Sequence, residues 1–207
     1  MSLRVLLFAS MLTTSLLGTS CSKDCDPTPG SVAATPIQAA TLNVGFEYAG
    51  SADGRSVSYL ADKPTGQLAS DRLTLTLNNT FPAVGPSDKV VFVLAKSQQK
   101  PGLVGTYSLA SQPDASKGDV QTTFFRYSSI KENTDNYVSS NQNQLSGSFV
   151  ITAYDAARQL ISGTYEIKAA GIRDVFTFRP NFDSSPDSRR LGDLRVHGSF
   201  QEIPLLP

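Results

Sequence analysis

A single histidine, His197, stands among 207 residues, tryptophan is absent, and cysteine occurs only twice. With one imidazole, a zinc site of the His-rich kind and any mechanism needing two imidazoles are excluded. No G-x-S-x-G elbow accompanies His197, and the chain has no Walker loop, dinucleotide fingerprint or Cys-x-x-Cys. Asp183, Asp187 and Asp193 are acidic residues near one another in sequence, yet they lack the Asp-x-Asp-x-Asp-Gly spacing that converges oxygens on one calcium ion. Charge of one sign is also missing. Lys plus Arg and Asp plus Glu number 18 each, and no basic cluster interleaves with aromatic residues, so nucleic acid is set aside as a partner. The expectation is a protein that is not an enzyme, with no catalytic residue, no metal and no cofactor.

The N-terminus is informative. Arg4 precedes an apolar run from Val5 to Leu17, then come the small residues Gly18, Thr19 and Ser20, and then Cys21. This is the layout of a secretory signal peptide, and the run is too short for a permanent span, which needs about 20 apolar residues. Small residues ending at a cysteine resemble the lipobox of bacterial lipoproteins, with Gly18 standing where Leu is usual. The resemblance implies cleavage before Cys21 and lipidation of Cys21 as the first mature residue. Ordinary cleavage near Ser20, giving a soluble secreted product, is the alternative. Cys25 has Ser22, Lys23 and Asp24 before it, which disfavours lipidation there, and acylation of Cys21 would leave Cys25 without a disulfide partner. The stretch Ser22 to Asp26 resembles the lysine-plus-acidic signal of surface-displayed lipoproteins of Bacteroidota. Onward to Ala39 the composition is Pro, Gly, Ser and Ala without periodicity, and about 18 such residues reach about 23 Å.

From residue 40 the chain predicts one all-β domain, an antiparallel β-sandwich or barrel of about ten strands. The organisation is therefore a signal peptide over 1–20, a flexible tether over 21–39 and a β domain over 40–207. The clearest stretch is Gln144 to Ala169. Leu145, Gly147, Phe149, Ile151 and Ala153 share one face of a first strand, and Ile161, Gly163, Tyr165, Ile167 and Ala169 share one face of a second. Both apolar rows lie on one side of a hairpin if Asp155 pairs with Gln159, which sets Phe149 opposite Tyr165 and leaves a loop of Ala156, Ala157 and Arg158. Further strands are expected around Leu42 to Tyr48, Val57 and Tyr59, Leu73 to Leu77, Leu103 to Ala110, Val120 to Ser128, Arg173 to Arg179 and Leu194 to Ile203. Val90 to Ala95 is continuously apolar, as for a strand covered on both faces. Pro64 to Ser70 suits a helical turn. Ser129 to Asn143 and Pro180 to Leu191 are polar loops, either sites of binding or solvated connections. His197 falls on the polar face of the last strand with Arg195 and Ser199.

A Gly-[Ser/Thr]-[Phe/Tyr] pattern recurs at Gly105, Gly147, Gly163 and Gly198, at irregular spacings of 42, 16 and 35 residues. Irregular spacing speaks against a repeat architecture and for a packing device in which a ring lies across a residue without a side chain. Val90 to Leu94, Gly105 to Leu109, Gly147 to Asp155, Ile161 to Tyr165 and Gly198 to Phe200 together resemble a family of uncharacterised Bacteroidota lipoprotein domains. Its hairpin has the form G-x-F-x-I-T-x-Y-D followed by I-S-G-T-F. The resemblance implies an antiparallel β domain on a lipid anchor at the outer membrane, possible exposure at the cell surface, and no catalytic residue. The expected function is that of a cell-envelope lipoprotein displaying a non-catalytic domain to a protein or glycan, or serving a structural role, with the membrane as a partner through the lipid on Cys21. The alternatives are a carrier of a small apolar ligand in a β-barrel and, against the absence of motifs, a hydrolase.

Overall fold

Period-two alternation becomes strand almost wherever it occurs in the described residues, 38–79, 87–127, 134–178 and 186–207 of the computed structural model. Eleven strands follow in chain order: β1 (Ala39–Tyr48), β2 (Gly54–Leu60), β3 (Thr65–Leu68), β4 (Arg72–Asn79), β5 (Ser87–Ala95), β6 (Gly105–Ser108), β7 (Val120–Tyr127), β8 (Thr134–Ser139), β9 (Leu145–Asp155), β10 (Leu160–Arg173) and β11 (Leu191–Leu206). One path of hydrogen-bonded neighbours runs β6-β9-β10-β11-β3-β4-β5-β7-β8, and β1 and β2 branch from β11. All strand pairs are antiparallel except β11 with β3, where Leu205 and Leu206 lie parallel to Gly66 and Gln67. The protein is all-β, a mixed sheet curled into a half-barrel whose two arms face each other.

The arms meet through aromatic rings. Phe92 of β5 stacks on Phe149 of β9 at 4.7 Å between centroids, and it tilts against Tyr165 of β10 at 5.1 Å. Phe149 in turn stacks on Phe200 of β11 at 5.5 Å. Leu42, Leu73, Leu75, Leu77 and Val196 close around these rings with no exposed surface. The Gly-x-ring pattern explains how such bulk is seated. Tyr165 pairs with Gly198 and Phe200 pairs with Gly163, so each strand's ring lies over the other strand's glycine. A Cβ on Gly163 would strike the Val150 carbonyl and lie 2.5 Å from Phe200 Cζ; one on Gly198 would strike the Thr41 carbonyl and lie 2.8 Å from the Tyr165 hydroxyl. That hydroxyl donates to Thr41 O at 2.8 Å, which ties β10 across β11 to β1.

The hairpin keeps Phe149 opposite Tyr165, as its alternation predicts, but its tip differs. Asp155 pairs with Leu160, because Ser162 faces Ala153 while Gly163 faces Ile151, leaving Thr152 as an extra residue on β9. The loop is therefore Ala156 to Gln159. Asp155 Oδ1 accepts the amides of Ala157 and Arg158, both at 3.0 Å, and Gln159 takes the left-handed conformation at φ 53°. One consequence is that Ala153 turns outward.

Other expectations need correction. Pro64 to Ser70 contains β3 rather than a helical turn, since its backbone pairs with both β4 and the tail of β11. The strand expected over Arg173 to Arg179 is absent from its described residues, 173–178: β10 ends at Arg173, and Asp174 then caps a turn by accepting the Phe176 amide at 2.8 Å. The loop from 129 to 143 contains β8, which pairs with β7. Val91 and Val93 of β5 are half-exposed, so that strand is covered on one face and not on both.

Since Phe149 touches rings from three other strands, Phe149→Ala is expected to cost about 3–5 kcal/mol of stability, while Lys168→Ala on the outer face should stay within about 0.5 kcal/mol. Chemical denaturation checks this, and equal midpoints for the two variants would contradict the packing described.

Candidate functional site

Cys21, Cys25 and Asp183 lie outside the described residues. Asp187 is gripped by the Arg189 guanidinium at 2.7 Å, and this hydrogen bonding holds its carboxyl well below the usual range. Asp193 instead accepts the Gly171 amide at 3.0 Å. Among the described residues, no three His, Cys, Asp or Glu side chains come together as metal ligands. His197 lies on the outer face between Asn43 of β1 and Glu166 of β10, and its Nδ1 is buried without a hydrogen-bond partner among the described residues. It borders a groove of about 770 Å³ that crosses the outer faces of β9, β10, β11, β1 and β2. Charges along that groove are largely closed on one another, since Arg195 at 2.6 Å and Lys168 at 3.0 Å both pair with Glu166.

A second polar cluster lies inside the half-barrel. Asp88 of β5 and Arg126 of β7 face inward directly opposite each other, 2.9 Å apart, with side chains 0% and 4% exposed. Tyr59 of β2 reaches both of them through its hydroxyl. The Phe176 ring lies 4.2 Å from the Arg126 guanidinium carbon, a cation–π contact in a desolvated place. Burial pushes the Asp88 carboxyl up to about 6, and Arg126 and Tyr59 only partly oppose it. Asn79 Nδ2, Asp88 Oδ1 and Arg126 Nε are buried without partners among the described residues.

Next to this cluster, Asp174 accepts from the Tyr48 hydroxyl at 3.0 Å and the Thr177 hydroxyl at 2.7 Å. Burial raises its carboxyl, but these bonds, the Phe176 amide and nearby Arg55 together outweigh that and lower it. Asn136 of β8 donates to the carbonyls of Val175 and Thr177 and accepts from Arg189. The turn after β10 is thus bonded to β1 through Tyr48 and to β8 through Asn136.

The outer face of the same corner is aromatic. Lys89 of β5, Phe125 of β7 and Tyr137 of β8 are successive neighbours across three strands. Lys89 Nζ lies 4.7 Å from the Phe125 centroid and 5.4 Å from that of Tyr127. Phe125 and Tyr137 are 6.4 Å apart with planes inclined by 30°, and Phe125 and Tyr127 are 5.9 Å apart at 17°. Tyr137 is 46% exposed and its hydroxyl accepts from Gln142 at 2.7 Å. Because β8 ends the strand path, Tyr137 also borders a groove of about 400 Å³, whose walls include Asn143, Arg173, Arg189 and Leu191 and, among the described residues, no carboxylate.

Neither cluster was singled out from the sequence, although a signal existed. In Val120 to Tyr127, Arg126 is in phase with Val120 and Phe124, while Phe125 and Tyr127 are in phase with Gln121 and Thr123. A cation on the apolar phase and rings on the polar phase mark a strand whose two faces are both unusual. Compared with known proteins, the chain matches no family model, no curated protein and no solved structure.

The Asp88 carboxyl gives a pH dependence with a definite sign. An acid whose pKa is raised on folding holds its proton more tightly in the folded state, so its contribution to stability improves as pH falls through about 6 towards the unfolded value near 3.8. Relative to Asp88→Asn, the native chain should therefore gain up to about 3 kcal/mol between pH 7 and pH 4, two pK units at 1.36 kcal/mol each. Denaturant midpoints at a series of pH values measure this, and a difference that stays flat with pH would refute it. Arg126→Met, which leaves a buried carboxylate alone, should cost about 3–5 kcal/mol at pH 7.

Proposed function

We propose that this chain is a cell-envelope lipoprotein of the Bacteroidota family it resembles, anchored to the outer membrane by lipid on Cys21 and carrying a non-catalytic β domain that binds a partner. The signal peptide over 1–20 directs export. The tether over 21–39 lets the domain stand off the bilayer, and the partner is a protein or a glycan of the envelope or its surroundings.

The observation that favours binding at the surface over carriage inside is the filled interior. Phe92, Phe149 and Phe200, none more than 2% exposed, occupy the space between the arms where a carried apolar ligand would have to lie. A non-catalytic role is supported by the surroundings of His197. Among the described residues no carboxylate is bonded to its Nδ1, of the kind that fixes the tautomer of a catalytic imidazole.

Cys21→Ser is expected to move the protein from the membrane to the soluble fraction and to abolish labelling by a fatty-acid analogue. Labelling that persists in the variant would overturn the anchor.

A further inference from the structure

We propose that the outward face of Tyr137 and the groove beside it bind a pyranose unit of a glycan chain. The inference rests on the binding function proposed above and adds to it a place and a ligand class. Its first support is the order of the outer-face stack. Phe125 sits between Lys89 and Tyr137 in strand register, so Tyr137 is the terminal ring, and one of its two faces has no neighbour in the stack. The 46% exposure of Tyr137 agrees with an uncovered face, and the groove of about 400 Å³ begins at that residue. A pyranose has an apolar face of C–H groups close in size to a phenol ring, and it stacks where a flat ring is exposed beside polar groups.

The second support is the chemistry of the walls. Asn143 uses its side-chain oxygen to accept the Ser139 amide at 3.0 Å, which orients its Nδ2 as a donor. Arg173 commits one terminal nitrogen to the Arg189 carbonyl at 2.6 Å, and its remaining N–H groups are donors. No described residue of the lining is a carboxylate, and with Arg189 closed on Asp187 the donors left to a ligand are those of Asn143 and Arg173, so the groove suits a ligand rich in acceptors. Sugar hydroxyl and ring oxygens meet that need, and the carboxylate of a uronic acid meets it best, since guanidinium binds carboxylate with directed, charge-assisted bonds. A peptide strand added to β8 fits less well. The Asn136 side chain holds the Val175 and Thr177 carbonyls of the turn after β10 close to β8, which narrows the room for a pairing backbone.

The full-length chain, purified in detergent, is titrated with oligogalacturonate and with neutral β-glucan oligosaccharides by calorimetry. Binding of at least one is expected, with oligogalacturonate the tighter. Tyr137→Ala should weaken it at least tenfold, Tyr137→Phe should stay within about threefold because the ring is kept, and Arg173→Gln should weaken only the uronic ligand. The chain has no tryptophan, so tyrosine emission is read without interference, and ligand-dependent protection of Tyr137 from nitration gives a readout that needs no variant. Failure of both glycans to bind, or binding that neither depends on nor protects Tyr137, overturns the inference. The membrane anchor is judged separately by fractionation of Cys21→Ser, so loss of the glycan site leaves that result standing.

Discussion

Reciprocal seating of Tyr165 over Gly198 and of Phe200 over Gly163 is the contact on which the two arms depend. β11 pairs with β10 and β1 in one arm and hands its last residues to β3 in the other, so anything that sets the spacing of β10 against β11 sets the relation of the arms. Between β10 and β11 the two rings fit on one face because each lies over a neighbour without a side chain. Burial raises the Tyr165 phenol well above its usual value, so it remains a donor, and its bond to the Thr41 carbonyl satisfies a hydroxyl that would otherwise be left orphaned inside. Phe149 completes the arrangement by stacking on both Phe92 and Phe200, which brings the far arm onto the same cluster.

The corner where β5 and β7 face β2 is built differently. There the interior is an ion pair with aromatic cover: Asp88 and Arg126, with Tyr59 and Phe176 against them. Such a pair gains little net stability over an apolar filling, but removing one partner is expensive, so it acts as a constraint on register more than as a source of stability. A slip of one residue between β5 and β7 would separate the charges, turning one outward and leaving the other unpaired inside. The polar residues therefore specify the pairing of strands whose valines and phenylalanines alone would tolerate other partners.

The all-β class and the register of Phe149 against Tyr165 were legible because alternation is a local signal that survives into the folded chain. What the alternation did not carry was the tip of the hairpin, since an extra residue at Thr152 is a bulge that no pattern of apolar and polar residues announces. β3 was hidden because it has only four residues, paired with β4 on one side and, on the other, with the tail of β11 more than a hundred residues away in sequence. β8 was hidden within a polar stretch because its inward residues include Asn136, a buried amide whose partners are backbone carbonyls of the turn after β10. For β3 and β8 the deciding interactions include partners distant in sequence, whereas the bulge is local but leaves no mark on the alternation.

β7 shows how far a single strand can carry two unusual faces. Its inward row, Val120, Thr122, Phe124 and Arg126, ends in a buried cation, and its outward row, Gln121, Thr123, Phe125 and Tyr127, ends in rings. Both departures fall at the same end of the strand, next to β8, the last strand of the path. An edge strand with free backbone groups invites pairing with another chain unless something covers it or charges it. Here the Asn136 side chain bonds the turn from Asp174 to Thr177 to the inward side of β8, while Lys89 holds a charge over the rings outside. The inward anomaly and the outward one thus share a physical setting. Arg126 anchors Phe176, and with it the turn bonded to the inward side of β8, while on the outer side Tyr137 is the one ring that β8 presents to solvent among the described residues.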